Sequence, residues 1–474
     1  MDALGTHTEI SDEKKLSWLK SIFEAQRRFF DKGNTQSYAF RKKALEQLKK
    51  GIKKYEKDLL DAMYRDYKKP ATEAYIGDIG VVFEELDYTI RHLKYWMQPQ
   101  NVSTPITLMP AKSKLIHNPK GVVVVFAPWN YPFNLAISPL IGAVAAGNCV
   151  MLKPAHETPH TSVVTQKIIS EVFAPEHVAT VMGSGKETGA LLLQNFVFNH
   201  IFFTGSANTG RWIMEQAAKN LTPVTLELGG KCPAIVDNTA RINTIARRIV
   251  WAKLFNAGQT CLAVDYVLVH QDLKDRLIAK MIEEIRKRYG ENIELSPDYC
   301  RIINRDRTEK IVSLMKGGQV VFGGHYDLEQ CYIEPTIIEV NNLESGIMQE
   351  EIFGPLLPVI TWRERTEMLD IVRKNRYPLA SYIFSENRSF IDFALQHIES
   401  GGSCVNNAII HYANPHFGFG GVMTSGLGRY HGQHSFAAFS HAKPVLSSVS
   451  LIDVHLWYPP YTDIKQKTIK KVLG

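Results

Sequence analysis

Cysteine is scarce in this 474-residue chain: there are six, at positions 149, 232, 261, 300, 331 and 404. No two form a Cys-x-x-Cys pair and no histidine cluster accompanies them, so no metal site is expected. Met1 to Lys15 is polar and mixed in charge, with none of the apolar core of a secretory leader. Cysteines without a leader suit a reducing compartment, and a cytoplasmic setting is expected. Long apolar runs are also lacking. The longest, Leu135 to Leu152, is interrupted by Ser138, Pro139, Gly142, Gly147 and Asn148, whereas a membrane-spanning helix needs about twenty apolar residues in better continuity. This stretch reads instead as a buried helix leading into a strand.

Charge of one sign is modest. The net charge is +7, small for this length, and the lysines are spread along the chain. The densest stretch, Lys49 to Lys69, has Leu45, Leu48, Ile52, Tyr55, Leu59 and Met63 at three- and four-residue intervals. That spacing predicts an amphipathic helix with its lysines in water. Aromatic residues do not interleave with the basic ones, so nucleic acid is not an expected partner. Two nucleotide-binding fingerprints are missing as well. There is no Gly-x-Gly-x-x-Gly, and neither the Gly205–Gly210 turn nor Gly229-Gly230-Lys231 continues as Gly-Lys-Ser/Thr, which excludes a phosphate loop. No internal repeat or low-complexity linker is present.

What remains is a globular composition, 45% hydrophobic and 22% charged, on a chain too long for one simple core. Residues 1–95 read as helical. A Pro- and Thr-containing extended segment follows, Asn101 to His117, and then strands alternate with helices. Gly121 to Phe126 is a continuous β-branched run, expected of a strand covered on both faces. Cys149 to Leu152 and His200 to Thr204 look similar, separated by helical stretches such as Thr161 to Phe173. This alternation predicts a parallel, doubly wound sheet. A second α/β unit follows Glu227, with strands at Ala234 to Asp237, Tyr266 to Val269 and Leu356 to Ile360, and a clear helix from Asp272 to Tyr289. After His441-Ala442-Lys443-Pro444 come an apolar strand-like segment and a short basic helix.

Three residues stand out chemically. Cys261 ends the run Leu254-Phe255-Asn256-Ala257-Gly258-Gln259-Thr260-Cys261, where Gly258 permits close approach of the backbone. A thiol so placed is a candidate nucleophile, provided the pocket favours its thiolate. Glu227 lies between Leu226 and Leu228 in a short apolar strand that continues as Gly229-Gly230-Lys231. An unpaired charge there is costly to bury, so its pKa should rise and suit a general base. Asn130, in Pro128-Trp129-Asn130-Tyr131-Pro132, directly follows the strand at 121–126, at the end where open α/β sheets place ligands. The Gly-rich turn Gly205-Ser206-Ala207-Asn208-Thr209-Gly210, before a helix beginning near Arg211, can receive a pyrophosphate on free amides.

The segments around Cys261 and Glu227 together resemble the active-site signatures of the aldehyde dehydrogenase superfamily. The resemblance spans nearly the whole chain. The motifs Phe419-Gly420-Gly421, Ser425 to Gly432, Phe439-Ser440-His441 and Trp457 to Tyr461 are similar to those of the class 3 members. It implies an α/β fold with three parts: a Rossmann-like dinucleotide-binding domain at 1–95 and 117–227, an α/β catalytic domain at 228–434, and a small β oligomerisation element at 96–116 and 435–474. It implies NAD or NADP as coenzyme, aliphatic or aromatic aldehydes as substrates, and a homodimer. Some members carry a C-terminal membrane anchor, whereas Ile464 to Gly474 is short and basic, so no anchor is expected.

By the same resemblance Cys261 is the nucleophile, Glu227 the base that activates water, and Asn130 the amide that shares an oxyanion hole with the Cys261 N–H. Lys153 would reach the adenosine ribose, Gly205, Ser206 and Gly210 would form the cofactor loop, and Glu351 and Phe353 would hold the nicotinamide ribose. Tyr131, Ile409 and His411 are expected near the substrate tunnel. Two departures matter. His156 stands where many relatives place a ribose-binding glutamate, with Glu157 displaced by one, so His156 and Lys153 make NADP use more plausible. Met423 stands where a glycine is usual, which is expected to alter the tunnel. Two other readings stay open: a dehydrogenase that hands its thioester to coenzyme A, and a non-catalytic scaffold that has kept the fold.

Overall fold

The computed structural model describes residues 12–473. The start of the polar N-terminal stretch and of the first expected domain, residues 1–11, lies outside the described residues. Helices fill the N-terminal region as expected, at Asp12–Asp31, Tyr38–Lys54, Glu56–Tyr67 and Gly80–Trp96. The lysine-rich stretch is two helices rather than one, broken at Tyr55, which leaves helical geometry (φ −105°, ψ 14°). Its apolar stripe is buried throughout, from Leu45 to Met63. Lys69 departs from the solvated face, being wholly buried and paired with Asp78 at 2.7 Å.

Beyond these helices lies a six-stranded sheet. Its first strand, Val122–Phe126, pairs in parallel with Cys149–Lys153 on one side and His200–Thr204 on the other. Val178–Thr180 extends one flank and Val224–Glu227 the other. The three β-branched and aromatic runs are buried along their full lengths, because helices cover both faces of such a sheet. Strand order reverses at Val122–Phe126, and that is where an open α/β sheet forms a crevice at its carboxyl ends. The helix Asn134–Ala146 is buried at every position and stops at Gly147 (φ +92°) before the next strand, as the interrupted apolar run predicted. Gly426–Leu427 adds antiparallel to Val224–Glu227, so a piece of the 228–434 segment belongs to the first sheet.

A seven-stranded sheet forms the second unit. Pro233–Val236, Tyr266–His270, Thr336–Glu339, Leu356–Trp362, Ala380–Phe384 and Gly402–Val405 run parallel, with Gln319–Phe322 antiparallel at one edge. The helix Lys274–Tyr289 starts two residues later than expected, after a short 3-10 turn. Gln100–Val102, Lys112–Pro119 and Ser440–Ser447 make a separate antiparallel sheet. The second of these passes the expected boundary at 116, and the third includes His441–Pro444, which were expected to precede it. Asp463–Leu473 is the short basic helix. Among the described residues no helix is long and apolar enough to cross a membrane, and all six cysteines are free.

Candidate active site

Cys261 follows a turn of unusual backbone. Asn256, Ala257 and Gly258 have φ of 57°, 50° and 78°, three left-handed residues in succession. At Gly258 the need for glycine is twofold, since a Cβ there would lie 2.3 Å from the Gly354 carbonyl oxygen. The Asn256 amide donates to the carbonyls of Asn130 at 2.9 Å and Gln259 at 3.1 Å. Gln259 in turn donates to Asn256 O and Arg301 O and accepts from Ile303 N. Asn, Gly and Gln in this run therefore build the turn. The thiol is presented at its end, half-buried. Burial, with Glu351 and Glu227 nearby, pushes that thiol up to about 12, so it rests protonated.

Glu227 ends its strand and is 2% exposed. Neither carboxylate oxygen has a hydrogen-bond partner. Burial raises its pKa well above the usual carboxylate range, with only Arg429 opposing. This agrees with the expectation from its apolar flanks. Asn130 is buried, and its side-chain amide donates to Gln259 O at 3.0 Å, which aims it at the nucleophile turn. Tyr131 meets the same turn through its hydroxyl, 2.6 Å from Thr260 Oγ1.

Two cavities open from this point. The first is apolar and includes Tyr131, Trp251, Phe255, Ile409, Phe419 and Tyr430. The second is lined by Trp129, Gly205, Ser206, Asn208, Arg307, Glu351 and Phe353, among others. Leu135, Thr204, Glu227, Leu228 and Cys261 line both. The nucleophile and base candidates thus stand where an apolar passage meets a more polar one.

In the polar cavity the helix Ala207–Ala218 begins four residues earlier than expected, capped by Ser206. Gly229 lets the Glu351 carboxylate lie against the backbone, since a Cβ there would sit 2.0 Å from a Glu351 oxygen. Burial and the neighbouring Asp265 push Glu351 up to about 8, opposed by the Gly230 amide, Lys231 and Lys253. Phe353 sets its ring edge-on to Trp129 at 5.4 Å. The arm carrying both is fixed by a buried pair. Lys231 lies 2.5 Å from Asp265 and donates to Ile347 O and Glu350 O, while Asp265 accepts the Ile352 amide at 3.0 Å.

Several expected site residues lie elsewhere. Gly210 is buried against Leu228, where a Cβ would come within 2.8 Å; it packs helix against strand and does not line the cavity. His411 turns away from the apolar cavity, its Nδ1 3.2 Å from Cys404 Sγ, while Ile409, Ile410 and Tyr412 around the same 3-10 turn line it. Met423, expected to alter the tunnel, is 73% exposed and lines neither cavity. Its φ of 52° gives the physical reason a glycine suits this position. Lys153 is buried at its strand's end, donating to Pro154 O, and burial lowers it to about 8. His156 is exposed and pairs with Glu157 at 3.0 Å. Lys153 and His156 both lie outside the two cavities that meet at Cys261. Motif reading missed Thr204, whose hydroxyl is buried without a partner between the cavities, and it missed Asp265, which no signature includes.

Comparison with known proteins identifies the family. The aldehyde dehydrogenase family profile matches residues 8–445. The chain is 42% identical over 445 residues to 4,4'-diaponeurosporen-aldehyde dehydrogenase of Staphylococcus aureus (strain NCTC 8325 / PS 47), covering 94% of this chain and 96% of that protein. It is 39% identical over 441 residues to aldehyde dehydrogenase family 3 member A2 of Macaca fascicularis, covering 93% and 90%. It superposes on the substrate-bound state of Staphylococcus aureus AldH with a TM-score of 0.93 at 41% identity, over 96% of this chain and 99% of that one. The chain belongs to the aldehyde dehydrogenase family. It is an oxidoreductase that acts on aldehydes with NAD or NADP, and its relatives include several family 3 members.

Proposed function

We propose that this enzyme oxidises an apolar aliphatic or aromatic aldehyde to the carboxylic acid through a thioester on Cys261. The observation that carries the reading is that Cys261 and Glu227 line both cavities at their junction. The aldehyde enters by the apolar side. Cys261 loses its proton to water as its sulfur bonds to the carbonyl carbon and the C=O π pair moves onto oxygen, forming a thiohemiacetal oxyanion. The oxyanion takes hydrogen bonds from the Asn130 amide and the Cys261 N–H, where fixed donors lower the barrier without reorganising. A coenzyme held beside Glu351 and Phe353 would supply the hydride acceptor. Glu227 then takes a proton from water, which attacks the thioester; the C–S bond breaks, Glu227 returns the proton to the Cys261 sulfur, and the acid leaves. An ionisable glutamate at the junction favours water over coenzyme A as acceptor.

The residues of the polar cavity suit a dinucleotide. The first turn of helix Ala207–Ala218 offers amides with no intrahelical acceptor, Thr204 has a buried unpaired hydroxyl, and Glu351 is positioned to accept from ribose hydroxyls. Gly205, Ser206, Glu351 and Phe353 would hold it on this side, and Lys153 and His156 at its adenosine end. In this reading residues 1–95 and 117–227 form the dinucleotide domain and 228–434 the catalytic one. Residues 96–116 and 435–474 would join two copies into a dimer, a reading supported by the exposed edge strand Ser440–Ser447 with its exposed Leu446, and by the exposed Val449, Leu451 and Ile452 after it. Six free cysteines support a reducing, cytoplasmic setting.

Replacement of Cys261 by Ala tests the assignment. Aldehyde-dependent NAD(P)H formation should fall more than about a hundredfold while coenzyme binding persists; Ala substitutions at Cys149, Cys232, Cys300, Cys331 and Cys404 should cost far less. A Cys261→Ala enzyme that keeps its turnover would refute the nucleophile assignment.

A further inference from the structure

Three charged residues from the N-terminal region, Lys69, Glu73 and Asp78, lie behind the catalytic loops, and the steps above use none of them. They fall on a short segment where helix Ala71–Ala74 runs through a π-helical turn, Tyr75–Ile79, into Gly80–Trp96. Such widened turns occur often at functional sites. Asp78, wholly buried, accepts the amides of Phe133 at 3.2 Å and Asn134 at 3.1 Å, closing the loop that carries Asn130 and Tyr131. The Lys69 ammonium, paired with Asp78, lies 4.1 Å from the Tyr131 ring centre.

Glu73 reaches the other loop. It accepts the backbone amide of Asn256 at 3.1 Å, the first of the three left-handed residues before Cys261. Non-glycine residues hold that conformation only where their surroundings enforce it. Three contacts do so here: the Glu73 carboxylate on the Asn256 amide, the Asn256 side chain on Asn130 O and Gln259 O, and the close approach of Gly258 to Gly354. Only the first can change its charge. Glu73 lines neither cavity at Cys261.

We propose that Glu73 is a positioning residue for Cys261: its carboxylate, neighboured by Lys69, holds the left-handed turn at Asn256–Gly258 that aims the thiol. This inference rests on the assignment of Cys261 as nucleophile. It carries a pH signature. Burial pushes Glu73 up to about 7, opposed by Lys69 and the Asn256 amide and reinforced by Asp298. Tyr131, Tyr289 and Cys300 also face it, and burial raises all three above their ordinary values, so they stay neutral as Glu73 titrates. The ionised carboxylate makes the stronger, charge-assisted bond. Protonation weakens that bond, so the turn should loosen as pH falls through about 7.

The test uses the full-length enzyme and two variants. Glu73→Gln keeps the size and an acceptor oxygen but loses the charge; Glu73→Asp keeps the charge. Two quantities are followed across neutral pH: the rate of Cys261 alkylation by iodoacetamide, and kcat with the KM for coenzyme. Above neutrality Glu73→Gln should lower kcat and alkylation by about tenfold, since a small misplacement of the nucleophile is costly, with coenzyme KM nearly unchanged. The inflection near neutrality should vanish in Glu73→Gln and persist, shifted, in Glu73→Asp. A Glu73→Gln enzyme with wild-type alkylation and pH profile overturns the inference, as does one with only a lowered melting temperature. If Glu73→Gln does not fold, Glu73→Asp with wild-type profiles overturns it equally. Retention of turnover by Cys261→Ala would instead refute the underlying nucleophile assignment.

Discussion

Asn130 donates one hydrogen of its side-chain amide to the carbonyl oxygen of Gln259 at 3.0 Å, two residues before Cys261. The bond ties the loop at the end of the first strand to the turn before Cys261. The return contact, Asn256 Nδ2 to Asn130 O at 2.9 Å, locks the same pair of loops from the other side. In the proposed mechanism the amide's second hydrogen would serve the oxyanion. Asn130→Ala should therefore lower kcat about a hundredfold, some 3 kcal/mol of transition-state stabilisation, with a smaller change in coenzyme KM. Equal losses in kcat and coenzyme affinity would show that the residue serves only to hold the loops.

Glu227→Gln should separate the two half-reactions. Acylation of Cys261 needs no activated water, so a burst of NAD(P)H near one equivalent per site should precede slow turnover. Loss of the burst would mean that Glu227 chiefly activates the thiol. The same variant has a stability signature. The folded-state pKa of Glu227 is raised, so its contribution to stability is full below the unfolded carboxylate pKa and is lost as pH rises through the folded value. The ligand-free enzyme should lose melting temperature with rising pH, and Glu227→Gln should flatten that slope.

The buried Lys231–Asp265 pair holds the arm that bears Glu351 and Phe353. Removing one partner leaves the other charge buried, typically a loss of about 3–5 kcal/mol. Asp265→Ala should be destabilised on that scale in denaturant titrations. It should also raise the KM for coenzyme more than that for aldehyde, because the Ile352 amide loses its acceptor. A change confined to the aldehyde KM would contradict this.

Coenzyme choice should follow Lys153 and His156. Wild-type enzyme is expected to use NADP with a kcat/KM within about tenfold of NAD, a gap of roughly 1.4 kcal/mol. His156→Glu should weaken NADP by setting a carboxylate beside the 2′-phosphate, and leave NAD unchanged or improved. Burial lowers Lys153 to about 8; the lysine is charged below that value and neutral above it, so preference for NADP should decline as pH rises through it. An unaltered NADP/NAD ratio in His156→Glu would mean that this side chain, paired here with Glu157, keeps away from the ribose.

Contiguous stretches of sequence carried much of this protein. The buried strands Val122–Phe126 and His200–Thr204 were legible because β-branched and aromatic runs suit a sheet covered on both faces. The raised pKa of Glu227 followed from its apolar neighbours alone. Asn256, Gly258 and Gln259 could be recognised as a motif because they fall in one contiguous run, although their partners Asn130, Arg301, Ile303 and Gly354 lie far along the chain. Only the tertiary structure decided which side chains face the site. Ile409 lines the apolar cavity and His411 does not, since His411 is drawn to Cys404 on the neighbouring strand. Met423 is left in solvent and Gly210 is turned onto Leu228 by packing that no spacing encodes. Lys69, placed by periodicity among solvated lysines, is buried because Asp78 meets it. Glu73 and Asp265 act on backbone amides of Asn256 and Ile352, far along the chain. The physical reason is that charge burial depends on the partner that distant chain segments deliver, and a linear motif shows neither the partner nor the burial.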